Sequence, residues 1–138
     1  MKKYLLLLFV ISLALSACTA QESSTSLVGT WNLTAYGPPA SPIPAVADAG
    51  AQLTFNGDGT VGGNSGCNGF GGDYSVEGDQ ITFGQITSTL MACEDARMAQ
   101  EDAVHTVLTD TATYAIEGNT LTLTNNDMVL VFTRGQYP

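Results

Sequence analysis

Cys67, Cys93 and His105 are the residues whose types suit nucleophilic or metal chemistry in this chain. A cysteine thiolate with a histidine base attacks a carbonyl carbon when the two side chains lie within hydrogen-bond reach. Two thiols and an imidazole also begin a zinc set, but structural zinc wants four ligands and His105 is the single histidine. A third group is carboxylic: Glu94, Asp95, Glu101 and Asp102. Paired carboxylates hydrolyse glycosides when they flank one cleft. Acids grouped at the start of a helical pattern read more simply as negative charge at the positive end of the helix dipole.

Cys67 stands inside GGNSGCNGFGGDY, Gly62 to Tyr74. A phosphate-binding loop needs a lysine after its last glycine, and the lysines of this chain are Lys2 and Lys3. A dinucleotide fingerprint must open a helix, whereas a strand pattern through Tyr74 comes next here. The nucleophile elbow is Gly-x-Ser-x-Gly; Gly63-Asn64-Ser65-Gly66-Cys67 lacks the final glycine. Asn56, Asp58 and Gly59 imitate part of a calcium loop, but Thr54 and Ser65 stand where acids belong. The glycines therefore read as backbone devices that allow sharp bends and close approach.

The elements that must position these residues begin after a leader. Lys2 and Lys3, the apolar run Tyr4 to Leu15 and then small residues make a secretory signal peptide. The run is shorter than the about 20 residues of a membrane-spanning helix. Leu15-Ser16-Ala17-Cys18 resembles the bacterial lipobox, in which the cysteine is acylated and becomes the new N-terminus. The alternative is an ordinary secreted protein cut near Ala17 or Ala20. Lipidation at Cys18 implies a membrane as partner and an extracytoplasmic, lipid-anchored place in the cell envelope. With Thr19 after the cysteine, the resemblance implies the outer membrane where the organism has one. The expected organisation is a lipoprotein leader over residues 1–17, a lipidated polar tether over 18–26 and one domain over 27–138. Its folded part runs from about Leu27 to Arg134. The tether sequence Thr19 to Ser26 is too polar to fold and reaches at most roughly 27 Å at about 3.4 Å per residue.

Without the leader, Arg97 and Arg134 face 13 acidic residues. Such a surface repels nucleic acid, so no nucleic-acid partner is expected, and the charge reads as solubility. Acylation of Cys18 leaves Cys67 and Cys93, which in an oxidising compartment are expected to pair. A pair of buried free thiols is the alternative. Cys67 with His105 as its base is the catalytic one.

Apolar residues alternate in short runs: Trp31, Leu33 and Ala35; Leu53 and Phe55; Tyr74 and Val76; Ile81 and Phe83; Leu121 and Leu123. Period two marks half-buried strands. Asn56-Gly57, Glu77-Gly78-Asp79 and Glu117-Gly118-Asn119 supply hairpin turns between them. Met128 to Phe132 is apolar on both faces and is expected to be covered on both. Tyr36 to Gly50, rich in proline, reads as a long loop. Asp95 to Thr109 predicts one amphipathic helix burying Ala96, Ala99, Ala103, Val104, Val107 and Leu108, with Glu101, Asp102 and His105 toward solvent or an edge. The fold class is mainly β (α+β): an antiparallel meander of about eight strands with one helix packed on it.

Gly66-Cys67-Asn68, Gly72-Asp73-Tyr74 and Thr89-Leu90-Met91-Ala92-Cys93, taken with Gly29-Thr30-Trp31 and the run Tyr114 to Leu123, resemble the paired motifs of the META domain, or HslJ-like, family. The resemblance covers essentially the whole folded part. It implies a small cracked antiparallel β-barrel with a packed helix, linked to the bacterial envelope, heat-shock response and novobiocin tolerance, without an established enzymatic activity. It carries Gly66, Cys67, Asn68, Gly72, Tyr74, Thr89, Met91, Ala92 and Cys93 as motif residues; Leu90 departs from the basic residue many members have there. Trp31 near the start and Arg134 near the end resemble the lipocalin pattern, in which an arginine packs over a tryptophan and closes the barrel. The resulting expectation is a non-catalytic structural or interaction module with no metal and no cofactor, meeting an unknown envelope protein or small ligand. The alternative is a lipocalin-like carrier of a small apolar ligand.

Overall fold

A computed structural model describes residues 26–135. The leader, Cys18 and the tether up to residue 25 lie outside the described residues. Among the described residues, ten strands and one helix run in the order β1 (Gly29–Gly37), β2 (Ile43–Pro44), β3 (Gln52–Phe55), β4 (Thr60–Asn64), β5 (Gly69–Glu77), β6 (Gln80–Phe83), β7 (Thr87–Ser88), α1 (Asp95–Leu108), β8 (Thr111–Glu117), β9 (Thr120–Asn125) and β10 (Met128–Arg134). All pairings are antiparallel. The order β10-β9-β8-β6-β5-β4-β3-β1 returns to its start because β1 also pairs with β10, which closes an eight-stranded barrel. Closure removes the exposed edges that an open sheet would leave. The two short strands are additions: β2 lies beside β1 and β7 beside β5.

The closing ladder sets Trp31 opposite Arg134 and Leu33 opposite Phe132, then resumes with Ala35 opposite Val131. Thr34 is the extra residue of a bulge, and its hydroxyl donates to Val131 O at 3.0 Å. A bulge shifts the alternation by one. Tyr36, not Ala35, therefore turns inward after Leu33, and Tyr36 is buried while Ala35 is half-buried. This corrects the expected inward face of β1. It also moves Tyr36 out of the predicted loop, within which β2 forms a further short pairing.

Inward positions fill the barrel. Trp31, Phe55, Phe132, Leu53, Ile81, Leu121, Leu123 and Leu130 are almost wholly buried, with Phe83 close behind. Phe55 meets Tyr74 edge-on at 5.0 Å between ring centroids and Phe83 at 6.4 Å. Tyr74 itself is half-buried and its hydroxyl donates to Asn56 O at 2.8 Å. Val129, Leu130 and Phe132 of β10 are buried, and Met128 and Val131 half-buried.

Helix α1 packs against β1, β8, β9 and β10. Its inward face is Gln100, Glu101, Ala103, Val104, Val107 and Leu108. Ala96 and Ala99 are exposed, and Glu101 is buried rather than turned to solvent. Two polar residues thus open the buried stripe, where the sequence pattern predicts two alanines. The reason is the partner they meet. The first half of α1 faces the polar Ser65–Asn68 turn, and the second half faces apolar strands.

Candidate functional site

The glycine-rich segment is a hairpin. Gly62 and Gly63 lie in β4, Gly69, Gly71 and Gly72 in β5, and Asn64 pairs with Gly69 around a turn made of Ser65, Gly66, Cys67 and Asn68. A Cβ on Gly63 would sit 2.0 Å from Gln52 O. Gly66 has φ of 103°, and a Cβ there would meet Gln100 Nε2 at 2.4 Å. Close approach fixes glycine at the first, and backbone conformation with crowding fixes it at the second. Gly72 packs against Gln85 O and Ile86.

Asn68 is 1% exposed, so each of its polar atoms needs a partner. Its Oδ1 accepts from Met91 N–H at 2.7 Å and from the Thr89 hydroxyl at 2.8 Å. Its Nδ2 donates to Met91 O at 3.0 Å and to Glu101 Oε1 at 2.8 Å. Its backbone N–H donates to Glu101 Oε2 at 2.9 Å, and its carbonyl accepts from Ser65 N–H at 2.9 Å. A carboxamide has two acceptor sites and two donors, and all four are used. Asn68 therefore joins the turn, the helix and the Thr89–Met91 segment at one point.

Burial pushes the Glu101 carboxyl up, but hydrogen bonds from the Ser65 hydroxyl, the Asn68 side chain and the Asn68 backbone, with the charge of His105, hold it below its usual 4.5. Glu101 is thus an anion in the folded protein at neutral pH, satisfied by donors. Gln100, fully buried, donates from Nε2 to Ser65 O at 2.7 Å. Arg97 donates from Nη1 to Gly66 O at 2.9 Å and pairs with Glu94 at 2.6 Å.

Cys67 and Cys93 form a disulfide with Cα atoms 6.0 Å apart. It ties the turn to the residue two positions before α1. A disulfide sulfur offers no thiolate, so the Cys67–His105 dyad does not exist in this structure. His105 instead lies edge-on to Phe70, with 6.1 Å between ring centroids. The Ser65 hydroxyl donates to the Glu101 carboxylate, a pairing that would suit an activated nucleophile. Ser65 is fully buried, so no substrate reaches it as the fold stands. Among the described residues, no group of three or more His, Cys, Asp and Glu gathers in a way that holds a metal.

The structure brings together Gly66, Cys67, Asn68, Thr89, Met91 and Cys93. Gly72 and Tyr74 serve the barrel wall away from this cluster, and Ala92 is exposed. Trp31 and Arg134 form a separate arrangement at the seam. The guanidinium lies 4.1 Å from the ring centroid, Trp31 Nε1–H donates to Leu27 O at 2.8 Å, and Arg134 Nη1 donates to Val28 O at 3.3 Å. Sequence reading missed Ser65, Gln100 and Glu101 as members of the cluster. The available signal was the spacing of Gln100, Val104, Val107 and Leu108, which places a polar residue on the stripe itself.

A closed eight-stranded barrel whose glycine hairpin is stapled to the segment that enters α1 defines a small, disulfide-bonded β-barrel domain. The chain belongs to the META domain family, whose model matches residues 25–137. Among solved structures, a protein from Burkholderia xenovorans determined by NMR is similar at 28% identity and a TM-score of 0.64, covering 79% of this chain and 83% of that one. A DUF4847 family protein from Bacteroides vulgatus shares the fold at 16% identity and a TM-score of 0.53, over 80% of this chain and 94% of the other. No curated protein matches. The family and these barrels give no sign of catalysis.

Proposed function

We propose that this chain is a membrane-anchored envelope lipoprotein whose META domain is a non-catalytic structural or interaction module in heat and novobiocin-type stress tolerance. One observation supports the non-catalytic part. The polar groups of the Gly66-Cys67-Asn68 and Cys93 motifs are consumed inside the fold: two sulfurs in a disulfide and the Asn68 carboxamide in four hydrogen bonds. A catalytic constellation needs groups that converge on a reachable space. The filling of the barrel by Trp31, Phe55, Phe83 and Phe132 favours this reading over carriage of an apolar ligand inside the barrel.

Support for anchoring comes from Leu15-Ser16-Ala17-Cys18 and the polar tether behind it. Two acyl chains anchor a protein stably, at about 0.8 kcal/mol per buried CH₂. Fractionation of cells carrying wild type and Cys18→Ala tests the anchor: the wild type partitions with membranes and the variant does not. Growth of a deletion strain at raised temperature and with novobiocin tests the role. Complementation by wild type, with failure by Cys18→Ala, is the expected pattern. Equal growth of the deletion and parent strains under both stresses overturns it.

A further inference from the structure

The segment from Ala45 to Ala51 leaves and rejoins the barrel at neighbouring points of β1. Ala45 N–H donates to Thr34 O at 2.9 Å, and Leu33 N–H donates to Ala51 O at 2.9 Å. The arch between them is tied to the helix as well, because Val46 N–H donates to Gln100 Oε1 at 2.7 Å. Compact surface arches with closed ends are frequently functional. A cleft of about 400 Å³ lies against this one.

Two residues with carboxamides, Asn32 and Gln52, and one with a carboxylate, Asp48, are among those that line the cleft. Asn32 and Gln52 are direct cross-strand partners of β1 and β3, both exposed. Asp48 sits on the arch with φ of 57°. Among the described residues, none of these three side chains has a hydrogen-bond partner. Nor does a side-chain cation of the described residues serve Asp48: Arg97 is engaged with Glu94 and Gly66 O, and Arg134 lies over Trp31. The remaining wall is mostly apolar, with Leu33, Ala45, Val46 and Ala51, beside Thr34, whose hydroxyl donates to Val131 O.

A carboxamide offers donors and an acceptor together, which matches hydroxyl groups. An ionised carboxylate only accepts, and it bonds most strongly to a charged donor such as an ammonium group. A concave site with an apolar wall and a few converging polar groups is the usual form of a small-molecule site. The geometry points to a binding site under the Ala45–Ala51 arch for a small hydroxyl-rich ligand that carries an ammonium group, of the amino-sugar class. Asp48 takes the ammonium, and Asn32 and Gln52 take the hydroxyls. The arch is held in place before the ligand arrives, which lowers the ordering cost of binding. This site lies outside the barrel interior and does not depend on the anchor at Cys18.

Glucosamine is the test ligand, with glucose and ethanolamine as controls, in NMR titrations of the isotope-labelled full chain in detergent micelles. Glucosamine is expected to shift the side-chain amide signals of Asn32 and Gln52 and the backbone signals of the arch, with saturation. Asp48→Asn is expected to weaken this by roughly tenfold or more, the loss of one charge-assisted hydrogen bond. Asparagine tolerates positive φ, so the variant keeps the arch, and an unchanged spectrum elsewhere verifies that. Glucose and ethanolamine are each expected to bind far more weakly. The assignment is overturned by shifts that fail to saturate, that spread over the acidic surface equally with ethanolamine, or that survive Asp48→Asn unchanged.

Discussion

At the β1–β10 seam, Trp31 is fully buried among apolar neighbours, its indole N–H reaches one carbonyl, and a single guanidinium covers the ring. At the Ser65–Asn68 turn, the buried groups are a carboxamide, a hydroxyl and a carboxylate, crossed by a disulfide. Both places join parts of the chain far apart in sequence. Beyond the backbone ladder that any strand pair makes, the seam's buried side chains do so mainly with area removed from water, which is non-directional. The turn does so with directional bonds, each of which leaves a costly orphan when its partner is removed. The difference teaches where specificity resides. Many apolar residues would fill the seam, but few combinations would satisfy the turn.

Trp31→Ala is expected to break the comparison hardest. Removing a wholly buried tryptophan costs about 3–5 kcal/mol, read as a fall in the midpoint of urea unfolding, and the loss is global because the ring fills the closing ladder. Reducing the disulfide comes next. The two cysteines are 26 residues apart, and opening such a loop costs roughly 3–4 kcal/mol on the chain-entropy model. Urea melts with and without reductant measure it, and hydrogen exchange is expected to rise first in residues 65–68 and 89–93.

Glu101→Gln is smaller and more specific. Glutamine cannot accept at both oxygens from Ser65 and Asn68, so about 1–3 kcal/mol is lost at neutral pH. The folded carboxyl titrates below its usual 4.5, so its stabilisation is present above that value and is lost as pH falls through the lowered folded pKa. The gap in unfolding free energy between wild type and Glu101→Gln is therefore expected to narrow as pH drops below about 4.5. A gap that stays constant into acid contradicts the ionised, donor-bound carboxylate. Arg134→Gln is the mildest. Loss of the cation over the Trp31 ring is expected to cost about 0.5–2 kcal/mol in the same melts.

The strands through Trp31, Leu53, Ile81 and Leu121 were legible because alternation reports a half-buried sheet directly, and the strand through Phe132 because its apolar run is continuous. Cysteine parity made the Cys67–Cys93 bond legible too. The bulge at Thr34 was not, since one extra residue leaves no mark in composition and reverses the faces only of Ala35 and Tyr36 beyond it. Strand β4 and the first half of β5 were hidden by their glycines, while the second half of β5, through Tyr74 and Val76, showed in the alternation. With no side chain to alternate, Gly62, Gly63, Gly71 and Gly72 show no period, and backbone pairing alone reveals them. Glu101 looked like an exposed helix charge because its donors, Ser65 and Asn68, lie 36 and 33 residues away in sequence. Burial of a charge is a property of the partner as much as of the residue.

Alkylation of the unreduced protein in denaturant, read by intact mass, tests most directly whether the motif is spent on the fold. Without reductant, Cys67 and Cys93 are expected to take no label, and after reduction both take one. A label on Cys67 before reduction would contradict the account, because a free thiol would restore the reactivity that the disulfide removes.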